Sequence, residues 1–209
     1  MRKTGLIVAV LVLAATFAGA AHAAGEAAAA GPIALGTTIP MSDTKMKGVD
    51  GKEMSIADVK GAKGTLVVFT CNACPWAKAW EDRIVALGND YSKKGIGVIA
   101  VNANDPAKVA EDGYAEMQTR AKEKNFGFPY VVDATSGVAK AFGATRTPEA
   151  FLFDAKGALV YHGTIDDNAQ EPAKVKETYL KDALNAVSSG QGVAVKETKA
   201  MGCGIKFRA

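Results

Sequence analysis

Two cysteines separated by two residues carry the clearest chemical signal in this sequence. Cys71 and Cys74 stand in the segment CNACP, and Cys203 is the third cysteine of the chain. Two thiols at this spacing can form and break a disulfide bond, or they can supply part of a zinc site. A disulfide that closes so small a loop restricts the unfolded chain by only about 2 kcal/mol. Because a purely structural bond would gain so little, we expect a redox-active pair.

A buried strand and an amphipathic helix are expected on either side of this pair. Residues 65–69 (TLVVF) form a continuous apolar, β-branched run, which is typical of a central strand. After Pro75 the apolar residues recur at helical spacing, which predicts a helix that ends at Gly88. The two cysteines therefore lie where a strand ends and a helix begins.

The start of a helix predicts different roles for the two thiols. The positive end of the helix macrodipole and the free backbone N–H groups stabilise a thiolate. We expect Cys71, at the exposed start of the helix, to attack a substrate disulfide. Cys74, one helical turn further on, is then expected to resolve the mixed disulfide and release the reduced substrate.

The remaining elements alternate between strands and helices and end in a hairpin and a last helix. This order indicates an α/β fold with parallel pairing first and an antiparallel edge later. The predicted elements are strands at 96–101 and 130–132, a helix capped by Asp105-Pro106, a helix at 138–142, hairpin strands at 150–153 and 158–161, and a helix at 173–188.

Motifs further along the chain give these elements a family resemblance. The strand, CNAC and helix, followed by Thr147-Pro148, AFLF and DAKG, resemble the thioredoxin superfamily over about residues 32–190. Within it, the chain is similar to the exported thiol-disulfide oxidoreductase and peroxiredoxin-like (redoxin) branch. The resemblance implies a thioredoxin-like fold, with a central mixed sheet flanked by helices. It also implies that Pro148 is a cis-proline facing the cysteine pair and that Thr147 offers backbone hydrogen bonds to a bound peptide.

A thiol peroxidase is the alternative function, because residues 32–60 resemble the N-terminal extension of peroxiredoxins. Peroxiredoxins carry a Thr or Ser three residues before the peroxidatic cysteine and a Pro seven residues before it. Counted from Cys74, those positions hold Cys71 and Val67, and counting from Cys71 does not fit either. Without the groups that polarise a peroxide bond, we expect at most slow peroxidase chemistry.

The C-terminal segment MGCGIKF contains Cys203 and resembles the ending of a peroxiredoxin-like subgroup that also carries CxxCP. An unpaired cysteine in an exported chain is conspicuous. Cys203 is either a third redox thiol that exchanges with Cys71 or Cys74, or a free thiol, or a link to another chain. The sequence leaves these alternatives open.

Two metal sites are alternatives to redox chemistry. Cys203 and His162 could complete a zinc site with the pair, and a cysteine pair followed by Pro, with a distant His, resembles exported copper-binding metallochaperones. We expect neither, because the partners lie on unrelated segments and the metallochaperones use a longer cysteine spacing. No cofactor or metal is predicted, and His162 is expected at the surface.

The start of the chain has the pattern of a secretory signal peptide. A basic pair precedes an uncharged, mostly apolar run at 6–18, and small residues at 21 and 23 suit signal peptidase. We expect cleavage after Ala23. The parts that follow are a flexible leader at 24–31, a redoxin domain at 32–190 and a C-terminal tail at 191–209.

Composition limits the remaining function classes. The chain has 209 residues, of which 48% are hydrophobic, so it can bury one sizeable core. Its formal net charge of +3 gives no sign of nucleic-acid binding, and we expect no membrane span after cleavage. The sequence therefore predicts an exported, periplasmic thiol-disulfide oxidoreductase. Its expected partners are protein or small-thiol substrates and a redox partner that recycles the pair.

Overall fold

The computed structural model describes Met1 and residues 31–209. The predicted cleavage site after Ala23 lies outside the described residues, as do residues 2–23 of the predicted signal peptide and residues 24–30 of the predicted leader at 24–31. Within the described part of the chain, none of the helices is both long and apolar enough to span a bilayer.

A mixed sheet with helices on both faces forms the body of the protein. The strands are β1 (Met46–Gly48), β2 (Glu53–Met54), β3 (Gly64–Phe69), β4 (Ile96–Asn102), β5 (Tyr130–Val132), β6 (Arg146–Thr147), β7 (Glu149–Asp154), β8 (Leu159–Gly163) and β9 (Cys203–Gly204). The α-helices are α1 (Pro75–Ser92), α2 (Tyr114–Glu123), α3 (Gly137–Phe142) and α4 (Tyr179–Ser188).

The main sheet has the order β2-β1-β5-β4-β3-β7-β8, and β6 pairs separately with β9. The central strand β3 pairs parallel with β4 and antiparallel with β7, which forms a hairpin with β8. β5 continues the parallel pairing, and the β1–β2 hairpin closes that edge. The predicted α/β architecture, parallel first and antiparallel at the later edge, is confirmed.

Alternate residues of β3 point into two different cores. Leu66 and Val68 belong to the core formed with α1, α2 and α4. Val67 and Phe69 belong to the core formed with α3 on the opposite face. All six residues of the strand are buried, which explains why its sequence is continuously apolar instead of alternating.

Gly88 does not end α1, as the sequence predicted, because the helix continues to Ser92. The reason for a glycine here is packing against Phe128. A Cβ at position 88 would lie 2.6 Å from a carbon of the Phe128 ring, which is closer than real Cβ contacts. Gly88 therefore lets the segment before β5 approach the helix.

The last predicted helix begins later than expected. Residues Pro172–Lys174 form a short 3-10 helix, and α4 begins only at Tyr179. The segment between them is held by Asp167, whose carboxylate accepts the N–H of Lys176 (3.0 Å) and whose own N–H donates to Glu177 (3.2 Å). The helix predicted after Asp105-Pro106 also begins later than expected. A short 3-10 turn is followed by α2, and Gly113 lies between the two.

Replacing Gly88 by Ala should destabilise the fold, although Ala has the higher helix propensity by about 1 kcal/mol. The added methyl group overpacks against Phe128, and such overpacking costs typically about 1–3 kcal/mol. Urea unfolding should give a lower midpoint for Gly88→Ala, and adding Phe128→Leu should recover part of the loss. A higher midpoint for Gly88→Ala would contradict this interpretation.

Candidate active site

The loop between β3 and α1 carries the cysteine pair. α1 begins at Pro75, so Cys74 is the N-cap residue and Cys71 lies in the loop before it. The expectation that Cys74 lies one turn inside the helix is therefore wrong. Proline favours the first helical position, and the residue before a proline is held in extended backbone, as Cys74 is at φ −66° and ψ 124°.

Both thiols of the pair are buried to the same degree. The exposed fraction is 4% for Cys71 and 4% for Cys74, and both are free thiols. The expectation of an exposed Cys71 is therefore wrong as well. Because exposure does not distinguish the two thiols, their hydrogen-bond partners have to be compared.

Thr147 contacts both sulfurs of the pair. Cys71 Sγ lies 3.2 Å from Thr147 Oγ1, and Cys74 Sγ lies 3.0 Å from the Thr147 carbonyl oxygen, to which it donates when protonated. The peptide bond between Thr147 and Pro148 is cis, as the sequence predicted. Two segments 73 residues apart in the chain thus meet at the sulfurs.

The third cysteine lies at the same site. β9 pairs antiparallel with β6, and Cys203 stands opposite Thr147. The side chain of Cys203 packs against the cluster formed by Cys71, Cys74 and Ala77. The structure therefore brings all three cysteines together, although Cys203 follows Cys74 by more than half of the chain.

Cys74 is the more acidic thiol. Its pKa is lowered well below the ordinary thiol value, chiefly because the Cys71 thiol donates a hydrogen bond to its sulfur. The Cys203 thiol and the backbone N–H groups of Ala77 and Cys203 lower the pKa further, and together they outweigh the effect of burial. In the reduced pair these contacts favour ionisation at Cys74 over ionisation at Cys71.

Cys71 is the less acidic thiol. Its pKa is raised because it donates to the sulfur of Cys74, because it is buried, and because the carboxylate of Asp112 is near. Asp112 Oδ1 accepts the backbone N–H groups of Asn72 (2.6 Å) and Ala73 (3.2 Å). These N–H groups are bound to a carboxylate and so do not stabilise an anion at Cys71.

Sequence reasoning missed Asp112, which is 2% exposed and fixes the cysteine loop. Its Oδ2 accepts a hydrogen bond from Asn104 at 2.8 Å. The Asn72 side chain is also held, because its oxygen accepts the Tyr130 hydroxyl at 3.0 Å. No local pattern marks Asp112, since it lies 40 residues from its partner Asn72.

Glu149 and His162 form a buried pair behind β6. His162 Nε2 lies 2.7 Å from Glu149 Oε1, and Glu149 Oε2 accepts the N–H groups of Thr145 and Arg146, both at 2.8 Å. The pair braces the strand that carries Thr147. The expectation of a surface His162 is wrong, because Glu149 gives its ring a buried partner and the C-terminal tail runs beside β8.

His162 is not grouped with the cysteines in the way that the zinc or copper sites considered from the sequence require. Across residues 31–209, no three His, Cys, Asp or Glu side chains are grouped so that they could hold a metal ion. The chemistry of the site therefore has to be derived from its thiols.

Comparison with known proteins gives a family model and curated relatives. The model described as the AhpC/TSA family matches residues 36–162. A protein named thiol-disulfide oxidoreductase ResA from Geobacillus thermodenitrificans is 29% identical over 132 residues, which cover 61% of this chain and 67% of that protein. The protein of the same name from Bacillus subtilis is 24% identical over 149 residues, covering 70% of this chain and 73% of its own length. These relatives support the predicted enzyme class, thiol-disulfide oxidoreductase.

Solved structures match over more of the chain. A hypothetical protein from Sinorhizobium meliloti is 34% identical with a TM-score of 0.77, covering 85% of this chain and 96% of that chain. An uncharacterized conserved protein from Geobacillus kaustophilus is 35% identical with a TM-score of 0.77, covering 84% and 93%. A thioredoxin-like protein in the oxidized form, at 19% identity and a TM-score of 0.62, covers 76% of this chain and 99% of its own.

The match to that thioredoxin-like structure confirms the thioredoxin-like fold predicted from the sequence. The family model covers well over half of the chain and includes β3, the cysteine pair, the Thr147-Pro148 peptide and the β7–β8 hairpin. The predicted redoxin branch of the thioredoxin superfamily is therefore confirmed, and the chain belongs to the AhpC/TSA family.

Proposed function

We propose that this chain is a thiol-disulfide oxidoreductase whose Cys71 and Cys74 alternate between two thiols and a disulfide. The observation that carries the proposal is that both sulfurs, in the loop after β3, contact Thr147 of β6. Of the two thiols, Cys74 is the more acidic. The names of the curated relatives support the same reaction class.

In the proposed reaction the roles expected from the sequence are exchanged, because Cys74 and not Cys71 is the more acidic thiol. The Cys74 thiolate attacks one sulfur of a substrate disulfide. That disulfide breaks, and its second sulfur leaves as a thiolate and takes a proton. Cys71 then loses its proton and attacks Cys74 Sγ, which forms the Cys71–Cys74 disulfide and releases the second substrate thiol. Two electrons pass from the pair to the substrate, and the reverse steps oxidise a dithiol substrate.

Thr147 and Pro148 are proposed to position the reacting sulfurs. Thr147 Oγ1 lies beside Cys71, where its hydroxyl can donate a hydrogen bond to the Cys71 sulfur as that thiol loses its proton for the resolving step. Asp112 keeps the loop between the cysteines fixed through two backbone N–H groups. Preorganised contacts of this kind reduce the motion needed to align three sulfurs for exchange.

The location and partners of the protein are part of the proposal. The signal-peptide pattern, with cleavage after Ala23, supports export to the periplasm or a similar compartment that permits disulfides. Protein or small-thiol substrates fit the chemistry of the pair, and a separate redox partner would return it to its starting state.

Single-cysteine variants reacted with oxidised glutathione test the reaction. In a Cys203→Ser background, which isolates the pair, reduced protein should convert to the Cys71–Cys74 disulfide and release two glutathione thiols. Adding Cys71→Ser should trap one glutathione on Cys74, because the resolving thiol is gone, whereas adding Cys74→Ser should leave Cys71 slow to react. Intact-mass analysis over time distinguishes these species. A protein that keeps two free thiols in oxidised glutathione would contradict the proposed reaction, and rapid capture at Cys71 in the Cys74→Ser protein with none at Cys74 in the Cys71→Ser protein would contradict the proposed roles.

A thiol peroxidase is the second candidate, favoured by the acidic thiol at Cys74 and by the family match. Among residues 31–209, the hydroxyl in contact with the pair is that of Thr147, which lies by Cys71, and the side chain of Arg146 is exposed. Neither group is bound to the Cys74 sulfur, so a peroxide there would lack polarising hydroxyl and guanidinium donors.

Oxidation by hydrogen peroxide should accordingly be slow. Stopped-flow fluorescence can follow it, because Trp76 packs against the cysteine cluster. We expect a second-order rate constant several orders of magnitude below ~10⁷ M⁻¹s⁻¹, which approaches the range of efficient enzymes. A rate constant near that value, lost in Cys74→Ser and kept in Cys71→Ser, would make peroxide reduction the better assignment.

A further inference from the structure

The C-terminal tail is fastened on both sides of Cys203. Before it, the tail runs along β8, where Thr198 N–H donates to the His162 carbonyl at 3.0 Å. After it, Ile205 N–H donates to Thr145 at 3.0 Å, and Lys206 N–H donates to Asn104 at 2.8 Å. Anchors on both sides hold the intervening segment over the active site.

Between these anchors the tail forms a strand on the segment proposed to position a substrate. Cys203 pairs with Thr147, the residue whose backbone the sequence resemblance assigns to a bound peptide. Gly202 lies directly against the Thr147-Pro148 peptide, because a Cβ at position 202 would be 2.7 Å from the Thr147 carbonyl carbon. The tail therefore occupies the place expected for a peptide and brings its own cysteine there.

Cys203 is also the thiol of the three that reaches the surface. Cys71 and Cys74 are buried, whereas Cys203 is partly exposed. Trp76 packs against the same cysteine cluster as Cys203, and Met201 precedes Cys203 by two residues; both line a surface cavity. An external thiol can thus approach Cys203 while the tail remains in place.

From this geometry we infer that Cys203 is a third redox-active thiol, which the tail presents to Cys74 as an internal substrate. The inference rests on the proposed redox function of the pair. Deprotonated Cys203 attacks Cys74 Sγ of the Cys71–Cys74 disulfide; that bond breaks, a Cys74–Cys203 bond forms, and Cys71 leaves as a thiolate that takes the proton. This exchange moves the disulfide without net oxidation or reduction.

The moved disulfide connects the buried pair with external thiols. A small thiol such as glutathione attacks Cys203 Sγ, and Cys74 leaves as the thiolate that its neighbours stabilise. A second glutathione then attacks the glutathione sulfur of the mixed disulfide, so that oxidised glutathione forms and Cys203 is freed as a thiol. Two electrons have then passed from two thiols to the protein, and all three cysteines are reduced.

Disulfide mapping of the full-length protein tests the inference. Cys71→Ser protein oxidised with diamide, which accepts two electrons, should form an intramolecular Cys74–Cys203 disulfide in nearly every molecule. The tethered thiol acts at an effective concentration of about millimolar or more, which favours this bond over links between chains. Two free thiols after oxidation, or a disulfide between two chains, would overturn the inference.

A matched pair of glycine variants separates the strand geometry from simple flexibility. In the Cys71→Ser background, Gly202→Ala should reduce the yield of the Cys74–Cys203 bond several-fold, because its methyl group collides with the Thr147-Pro148 peptide. Gly204→Ala should not, because the nearest atom to a Cβ there is 4.0 Å away. Equal yields in the two variants would contradict a role for β9.

Cys203→Ser distinguishes this inference from the proposed function. With Cys71 and Cys74 intact, this variant should still form the pair's disulfide, but glutathione should reduce it several-fold more slowly than it reduces the wild type. An equal rate would overturn the role of Cys203 and leave the pair's function intact. Failure of the variant to form the Cys71–Cys74 disulfide would instead contradict the proposed function.

Discussion

The rest of the site depends on the meeting of three segments of the chain at the sulfur of Cys74. Donors come from the cysteine loop through Cys71, from the first turn of α1 through Ala77, and from the tail through Cys203. Each donor belongs to a different segment, so the sulfur is surrounded only when all three segments are in place. Burial alone would make this thiol harder to ionise, and the convergent donors reverse that effect.

Two buried carboxylates outside the pair hold these segments. Asp112 binds the N–H groups of Asn72 and Ala73 and so fixes the loop on one side of the sulfurs. Glu149, paired with His162, binds two N–H groups at the base of β6 and so fixes the side that carries Thr147. Buried carboxylates are costly unless they are hydrogen-bonded. In each of these two, one oxygen accepts two backbone N–H groups and the other is bound by a side chain, Asn104 for Asp112 and His162 for Glu149.

The sequence predicts those features that depend on nearby residues. The buried strand β3, the cysteine pair after it and the cis peptide before Pro148 follow from local pattern or resemblance. The helix start at Pro75 could also have been predicted from the sequence, because proline restricts the residue before it. The sequence could not have predicted the partners of Asp112 and His162 or the place of Cys203 beside Cys74, since these depend on contacts between distant segments. Gly88 shows the same limit, because its partner Phe128 belongs to another element.

The ionisation of Cys74 tests this account most directly. The thiolate's ultraviolet absorbance should be measured against pH for the reduced wild type, Cys71→Ser and Cys74→Ser. A lowered pKa means that Cys74 is already ionised at neutral pH, so the wild-type signal should be present there and disappear only on acidification. Cys74→Ser should lack this signal, and Cys71→Ser should keep a Cys74 thiolate at neutral pH, because a serine hydroxyl at position 71 can still donate a hydrogen bond to its sulfur. A neutral-pH thiolate that survives in Cys74→Ser and is lost in Cys71→Ser would contradict the account.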